Sequence, residues 1–130
     1  MTPREAQHDL ERVPLQVVRG CVTASVQVEL SDDILRQFQR DLLAEVRRVR
    51  ARAVILDLTA VEILDSTDFR SIQGTLRMSG LLGAQPVIVG LRPGIAASLA
   101  EFGVELDGIR ACGSLAQAFE QLDHTRPVST

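Results

Sequence analysis

Val54-Ile55-Leu56-Asp57-Leu58-Thr59-Ala60-Val61-Glu62-Ile63-Leu64-Asp65-Ser66-Thr67-Asp68-Phe69 is the stretch that decides the fold. It opens as an apolar run too short for a helix, bounded by polar residues, which predicts a buried strand. It closes in four short oxygen-bearing side chains, Asp65 to Asp68, after which helical periodicity begins at Phe69. Asp, Ser and Thr favour helix starts because their side chains accept from the orphan N–H groups of the first turn. Ser66 and Thr67 are therefore predicted at the surface, where a buried strand hands over to a helix from about Thr67. A helix N-terminus also tolerates an added phosphate, through its free N–H groups and its dipole.

Upstream, Leu15 to Arg19 and Cys21 to Val28 are two β-rich runs separated by Gly20. In the second, Val22, Ala24, Val26 and Val28 alternate with Thr23, Ser25 and Gln27, which predicts a hairpin with one face on the core. Ser31-Asp32-Asp33 then opens a helix with acids placed for its dipole. Leu35, Phe38, Leu42, Val46 and Val49 give it one apolar stripe, while Arg36, Arg40, Glu45, Arg47 and Arg48 form a solvated charged face.

Downstream, the second helix turns Phe69, Ile72 and Leu76 inward. Gly74 and Gly80 cost helicity about 1 kcal/mol each, which points to close packing on the sheet or on a partner. Gly83 suits a left-handed helix end. Val87-Ile88-Val89 is a second buried strand, and Pro93 fits the first position of a helix with Ile95, Leu99 and Phe102 on one side. Ile109 to Cys112 reads as a short edge strand. Ser114-x-x-Gln117 is a capping box before a stripe of Leu115, Ala118, Phe119 and Leu122. Strand–helix alternation after a hairpin implies an α/β fold with a mixed sheet and helices packed on it. Residues 1–12 read as a mobile tail, 13–123 as a single domain, and 124–130 as a fraying tail.

Composition excludes several function classes. The 130 residues are 45% hydrophobic, with four Phe and no Trp or Tyr, so the core is aliphatic and base stacking on aromatics is disfavoured. The net charge of −3 offers no grip on a polyanion, so no nucleic acid is expected as partner. All 14 basic residues are Arg, which removes every mechanism that needs a lysine. No apolar run approaches the roughly 18 residues of a membrane span, and the N-terminus lacks the apolar core of a signal peptide. A cytoplasmic protein with Cys21 and Cys112 as reduced thiols is expected.

The usual catalytic sets are missing. His8 and His124 lie in the tails, and no Ser/His/Asp or Cys/His set can be assembled from ordered segments. No metal or cofactor is expected. Asp57, Asp65 and Asp68 could suggest a carboxylate cluster, but Asp57 lies inside the strand, where it can bond a neighbouring backbone, and the other two match capping roles. Gly90-Leu91-Arg92-Pro93-Gly94 joins strand to helix as phosphate loops do, yet lacks the Gly-x-Gly-x-x-Gly spacing and reads as a helix start. From the residues alone, Asp65 to Asp68 is a capped helix and nothing more.

A resemblance adds to this. Asp65-Ser66-Thr67, after an apolar-Asp-Leu-Thr-x-Val pattern, resembles the phosphoacceptor segment of STAS domains, the anti-sigma factor antagonist family, and the similarity extends from about Val13 to Leu122. Val26-Gln27-Val28-Glu29-Leu30-Ser31-Asp32-Asp33, Phe38-Gln39-Arg40-Asp41-Leu42-Leu43, Met78-Ser79-Gly80-Leu81-Leu82-Gly83-Ala84 and Pro93-Gly94-Ile95-Ala96 are most similar to the RsbS branch, the small scaffold subunits of stressosomes. The resemblance implies the STAS fold, a mixed sheet of about four or five strands carrying about four helices. It implies a non-enzymatic scaffold for stress signalling, as homo-oligomer or large hetero-assembly. The implied partners are an RsbT-type switch kinase, RsbR-type proteins with a sensor and a STAS domain, and a PP2C-type phosphatase. Ser66 corresponds to the serine that the kinase phosphorylates, Thr67 to the second hydroxyl and runner-up acceptor, and Asp65 to the acid before the serine. Asp65, Ser66, Thr67 and Asp68 form the implied partner-binding segment. Many direct antagonists carry glycine where Asp68 stands; the stressosome branch does not keep it. A free antagonist that binds an anti-sigma kinase directly, and a small-ligand or nucleotide-binding domain using the Gly90 to Gly94 loop, are the alternatives.

Overall fold

The chain folds as a hairpin followed by strand–helix units, in a computed structural model that describes residues 12–27 and 29–124. The elements are β1 (Leu15–Val18), β2 (Cys21–Ser25), α1 (Asp32–Val49), β3 (Ala53–Asp57), α2 (Ser66–Leu81), β4 (Gln85–Val89), α3 (Pro93–Glu101), β5 (Arg110–Cys112) and α4 (Leu115–His124). They form one mixed five-stranded sheet in the order β1-β2-β3-β4-β5. β1 is antiparallel to β2, and every later pair is parallel. The expectations for residues 1–11 and 125–130, His8 among them, and for Val28 lie outside the described residues.

The hairpin turns through Arg19 and Gly20, both at positive φ (52° and 76°). Two left-handed residues match the twist of the flanking strands, and glycine carries one of them without strain. β3 is central and covered on both faces, which is why its sequence is a continuous apolar run rather than an alternation. Val54, Leu56 and Ile88 pack with α1, α2 and α3, whereas Ala53, Ile55, Val87 and Val89 pack with α4. Three helices thus lie on one side of the sheet and one on the other.

The helix ends are set locally. The Ser31 side chain accepts from Ile34 N at 3.3 Å and starts α1, as the Ser-Asp-Asp signal predicts. α1 ends in a left-handed Arg50 at φ 51°, an end without the usual glycine. Gly83 at φ 94° follows the end of α2. At α4, Ser114 Oγ accepts from Gln117 N at 3.2 Å, and Gln117 Oε1 accepts from Gly113 N at 2.9 Å. The box is reciprocal but reaches one residue further back than the motif implies.

Four sequence expectations change. Arg12, assigned to the tail, pairs with Asp41 on α1 at 2.9 Å, and α4 includes His124. Phe102 and Leu115 are exposed rather than core. Phe102 stands at the C-cap of α3 and Leu115 at the first position of α4, where helical periodicity no longer fixes which side faces the sheet. Gly74 and Gly80 are not packed closely on the sheet. A Cβ on Gly74 would meet nothing within 4 Å, and one on Gly80 only Pro86 Cδ at 3.8 Å.

Candidate functional site

β3 leaves the core through Leu58, which is fully buried and whose N–H donates to Val89 O at 2.9 Å. The turn that follows is held from three sides. Asp57 Oδ1 accepts from Thr59 N at 2.9 Å and from its hydroxyl at 2.5 Å. Arg92 donates from Nε and Nη2 to Thr59 O, each at 3.3 Å. Gly90 lies against Thr59 so closely that a Cβ would sit 2.1 Å from Thr59 Oγ1, and its φ is 73°. That contact accounts for Gly90 without any phosphate, and it fixes the start of the loop that leads to Ser66. Asp57, singled out from the sequence, bonds the neighbouring backbone and does not join Asp65 and Asp68 in a cluster. Among the described residues no group of three or more His, Cys, Asp or Glu is placed to hold a metal ion.

The loop from Thr59 to Asp65 is pinned by Leu64, which is buried, while Ile63 before it is 90% exposed. Asp65 is the N-cap of α2, with extended backbone, and its carboxylate accepts from Asp68 N at 2.7 Å. Its carbonyl accepts from Phe69 N at 3.0 Å. Capping is thus complete without Ser66. Ser66 occupies the first helical position, half-buried, and its hydroxyl enters no hydrogen bond among the described residues. Thr67 is exposed at the second position. The N–H groups of these first two positions have no intrahelical carbonyl. Phe69, fully buried one turn on, locks this end of the helix to the core.

The surroundings are acidic. Glu29, Asp32, Glu62, Asp65 and Asp68 form no ion pair among the described residues. A groove of about 470 Å³ opens beside Asp65 and Asp68, lined by Val26, Leu30, Val61 and Ile63 with Glu29 and Glu62 at its edge. Burial pushes the Asp68 carboxyl above its ordinary value, and the charges of Asp65 and Asp32 add to the shift. Asp32 comes from the first turn of α1, so two helix N-termini converge here. The predicted segment Asp65, Ser66, Thr67 and Asp68 is one turn of helix at the carboxyl edge of the sheet. The sequence did not single out Ile63, which lies in a loop without periodicity, or the Thr59–Gly90 contact, which joins residues 31 positions apart.

The remaining candidates stay apart from this site. Cys21 and Cys112 are free thiols on β2 and β5, with β3 and β4 between them. Three strand spacings of about 4.8 Å exceed the span of a disulfide. Cys21 is fully buried, and that burial pushes its pKa up. Cys112 is half-buried, with Sγ 3.4 Å from Gln121 Oε1. No helix among the described residues is long and apolar enough to cross a membrane.

The STAS domain family model matches residues 12–118. No curated protein matches the chain in sequence. Among solved structures, a serine-to-glutamate variant of RsbS from Moorella thermoacetica is 26% identical, with 90% of this chain and 99% of that chain covered at a TM-score of 0.78. A structure of the stressosome, described as a signal integration and transduction hub, matches at 26% identity, 88% and 100% coverage and a TM-score of 0.77. The anti-sigma factor antagonist SpoIIAA in its unphosphorylated form matches at 14% identity, 89% and 99% coverage and a TM-score of 0.63, a likeness of fold alone.

Proposed function

The chain belongs to the STAS domain family, and from that premise we propose that it is a non-enzymatic scaffold of a stressosome-type signalling complex in the cytoplasm. It sequesters an RsbT-type switch serine/threonine kinase and releases it when Ser66 is phosphorylated. RsbR-type proteins co-assemble with it, and a PP2C-type phosphatase resets Ser66. The similarity to RsbS and to a stressosome structure, each over nearly the whole chain, supports the scaffold assignment.

The observation that carries the switch is the division of labour between Asp65 and Ser66. Asp65 caps α2, so the Ser66 hydroxyl has no structural duty and is open to modification. A phosphate there gains the free N–H groups of the first turn, and the fold tolerates it. It also adds a charge of about −1.5 to −2 beside carboxylates that already lack counter-ions. A kinase surface fitted to a neutral hydroxyl would have to desolvate that anion. A buried contact of this kind loses affinity by about tenfold for each 1.4 kcal/mol.

The test is to incubate the full chain with its cognate kinase and ATP, map the phosphosite and measure kinase binding before and after. Phosphate on Ser66 with loss of binding is expected, and Ser66→Ala should hold the kinase without release. Phosphate on Thr67 alone would move the switch by one residue. No phosphate on either, with binding unchanged by ATP, would overturn the reading.

A further inference from the structure

The flank of α2 that begins at Ser66 also carries the arginines of that helix. Arg70, Gln73 and Arg77 follow Ser66 at steps of four, three and four, which keeps all of them along one side. Lower on this flank the side chains are engaged with the segment after α3. Gln73 donates through Nε2 to Glu105 O, and Arg77 pairs with Asp107 at 3.1 Å. Arg70 differs. It is exposed, and its side chain enters no hydrogen bond or ion pair among the described residues. It stays unpaired although carboxylates crowd this end of the helix. Asp68 stands about 160° round the helix from it and lines the groove with Glu29 and Glu62, while the Asp65 carboxylate is bound to Asp68 N.

We propose that Arg70 is the counter-ion of phosphorylated Ser66: its guanidinium, idle in the unmodified chain, closes onto the phosphate across one turn of α2. Residues four apart on a helix bring their Cβ atoms to about 5–6 Å, and an acid placed four residues before a base is the favourable order. Helical side chains lean toward the N-terminus, so Arg70 leans over the turn that holds Ser66. A guanidinium offers a planar fork of donors that two phosphate oxygens can accept from together. Arg92, the arginine that holds the turn before this loop, is already committed to Thr59 O.

The pairing deepens the switch, and its place in signalling rests on the phosphorylation of Ser66 proposed above. Ser66 lies between two unlike surroundings. On one side are the carboxylates of Asp65 and Asp68, with Asp32 from α1 and Glu29 and Glu62 from the loops beyond. On the other is a cation without a partner. Phosphorylation therefore changes two groups at once. It adds an anion of about −1.5 to −2, and it withdraws a free guanidinium from the surface beside it.

Phosphorus NMR of the full chain, with phosphoserine installed in place of Ser66 during translation, tests this without any kinase. The second phosphate pKa should lie about half a pH unit lower in the chain with Arg70 than in Arg70→Gln. Arg70→Lys should restore most of the difference, and about 1 M salt should shrink it. The helix N–H groups and the surrounding carboxylates act alike in every variant, so the difference isolates the guanidinium. Arg77→Gln, two turns further along the same flank, should leave the phosphate pKa unchanged. Without phosphate, Arg70→Gln should melt with the wild type, because Arg70 holds nothing there. Equal phosphate pKa values with and without Arg70 would overturn the proposal, as would an equal shift in Arg77→Gln or a lowered melting temperature in unphosphorylated Arg70→Gln. A kinase that leaves Ser66 untouched would overturn the switch reading instead, so the two fail separately.

Discussion

The two ends of α2 are opposites built on one helix. At the Asp65 end, carboxylates without counter-ions among the described residues surround an idle hydroxyl, and Ile63 is a large exposed apolar neighbour. At the Leu81 end, charge is neutralised within the Arg77–Asp107 pair and apolar side chains dominate. Both ends are anchored by the same inward stripe of Phe69, Ile72 and Leu76. The stripe holds both ends of the helix to the sheet, so a charge event at one end need not disturb the apolar surface at the other. Solvent exposure alone does not define a site; the balance of charge around the exposed group decides what it can meet.

The comparison can be broken most sharply at the anchor. Phe69→Ala should cost about 3–5 kcal/mol of stability in urea denaturation, because the ring is fully buried and leaves a cavity. An unchanged midpoint would mean that the Ser66 end is not held by the core. The next contrast is between the two residues that start the helix. Asp65→Ala should cost about 1 kcal/mol through loss of the cap, whereas Ser66→Ala should stay within about 0.5 kcal/mol. Equal losses would mean that Ser66 shares the capping, and the case for an idle hydroxyl would fall.

Midway between the ends, Gly74→Ala should stabilise the fold by about 0.4–1 kcal/mol, since the added methyl meets nothing within 4 Å. A lowered melting temperature would reveal a contact that the geometry lacks. The smallest effect concerns Asp68. The folded chain holds the Asp68 proton to a higher pH than the unfolded chain, because burial and then Asp65 and Asp32 disfavour its charge. Ionising it therefore lowers stability as pH rises from the ordinary carboxyl value near about 4 through the folded pKa, and the cost is complete above that. Relative to wild type, Asp68→Asn should gain stability as pH rises through this window, and the difference should be smallest below it. A difference independent of pH would remove Asp68 from the acidic cluster.

Much of the fold is legible in the chain because its signals are local. The run Val54 to Leu58, the alternation of Val22, Ala24 and Val26, the caps Ser31 and Asp65, and Pro93 at the start of α3 each act within a few residues. The acceptor segment is legible for the same reason: strand, short polar side chains and helix are contiguous. Periodicity fails where an element ends, and so Phe102 and Leu115, which the period places inward, lie outward.

A mixed α/β domain with Ser66 and Thr67 at a strand-to-helix handover follows from the order of residues alone, since hydrophobic period and capping chemistry are properties of neighbouring residues. What surrounds that handover is settled by packing in space. It brought Asp32 from α1 and Glu29 from the preceding loop to Asp68, set Gly90 against Thr59, and joined Arg77 to Asp107 across 30 positions. It also left Gly74 with open space around it and Gly80 with only Pro86 of β4 nearby, rather than the close sheet packing that was one reading of their helix cost. Charge balance and close approach depend on distances in space, and those are fixed when the helices pack on the sheet.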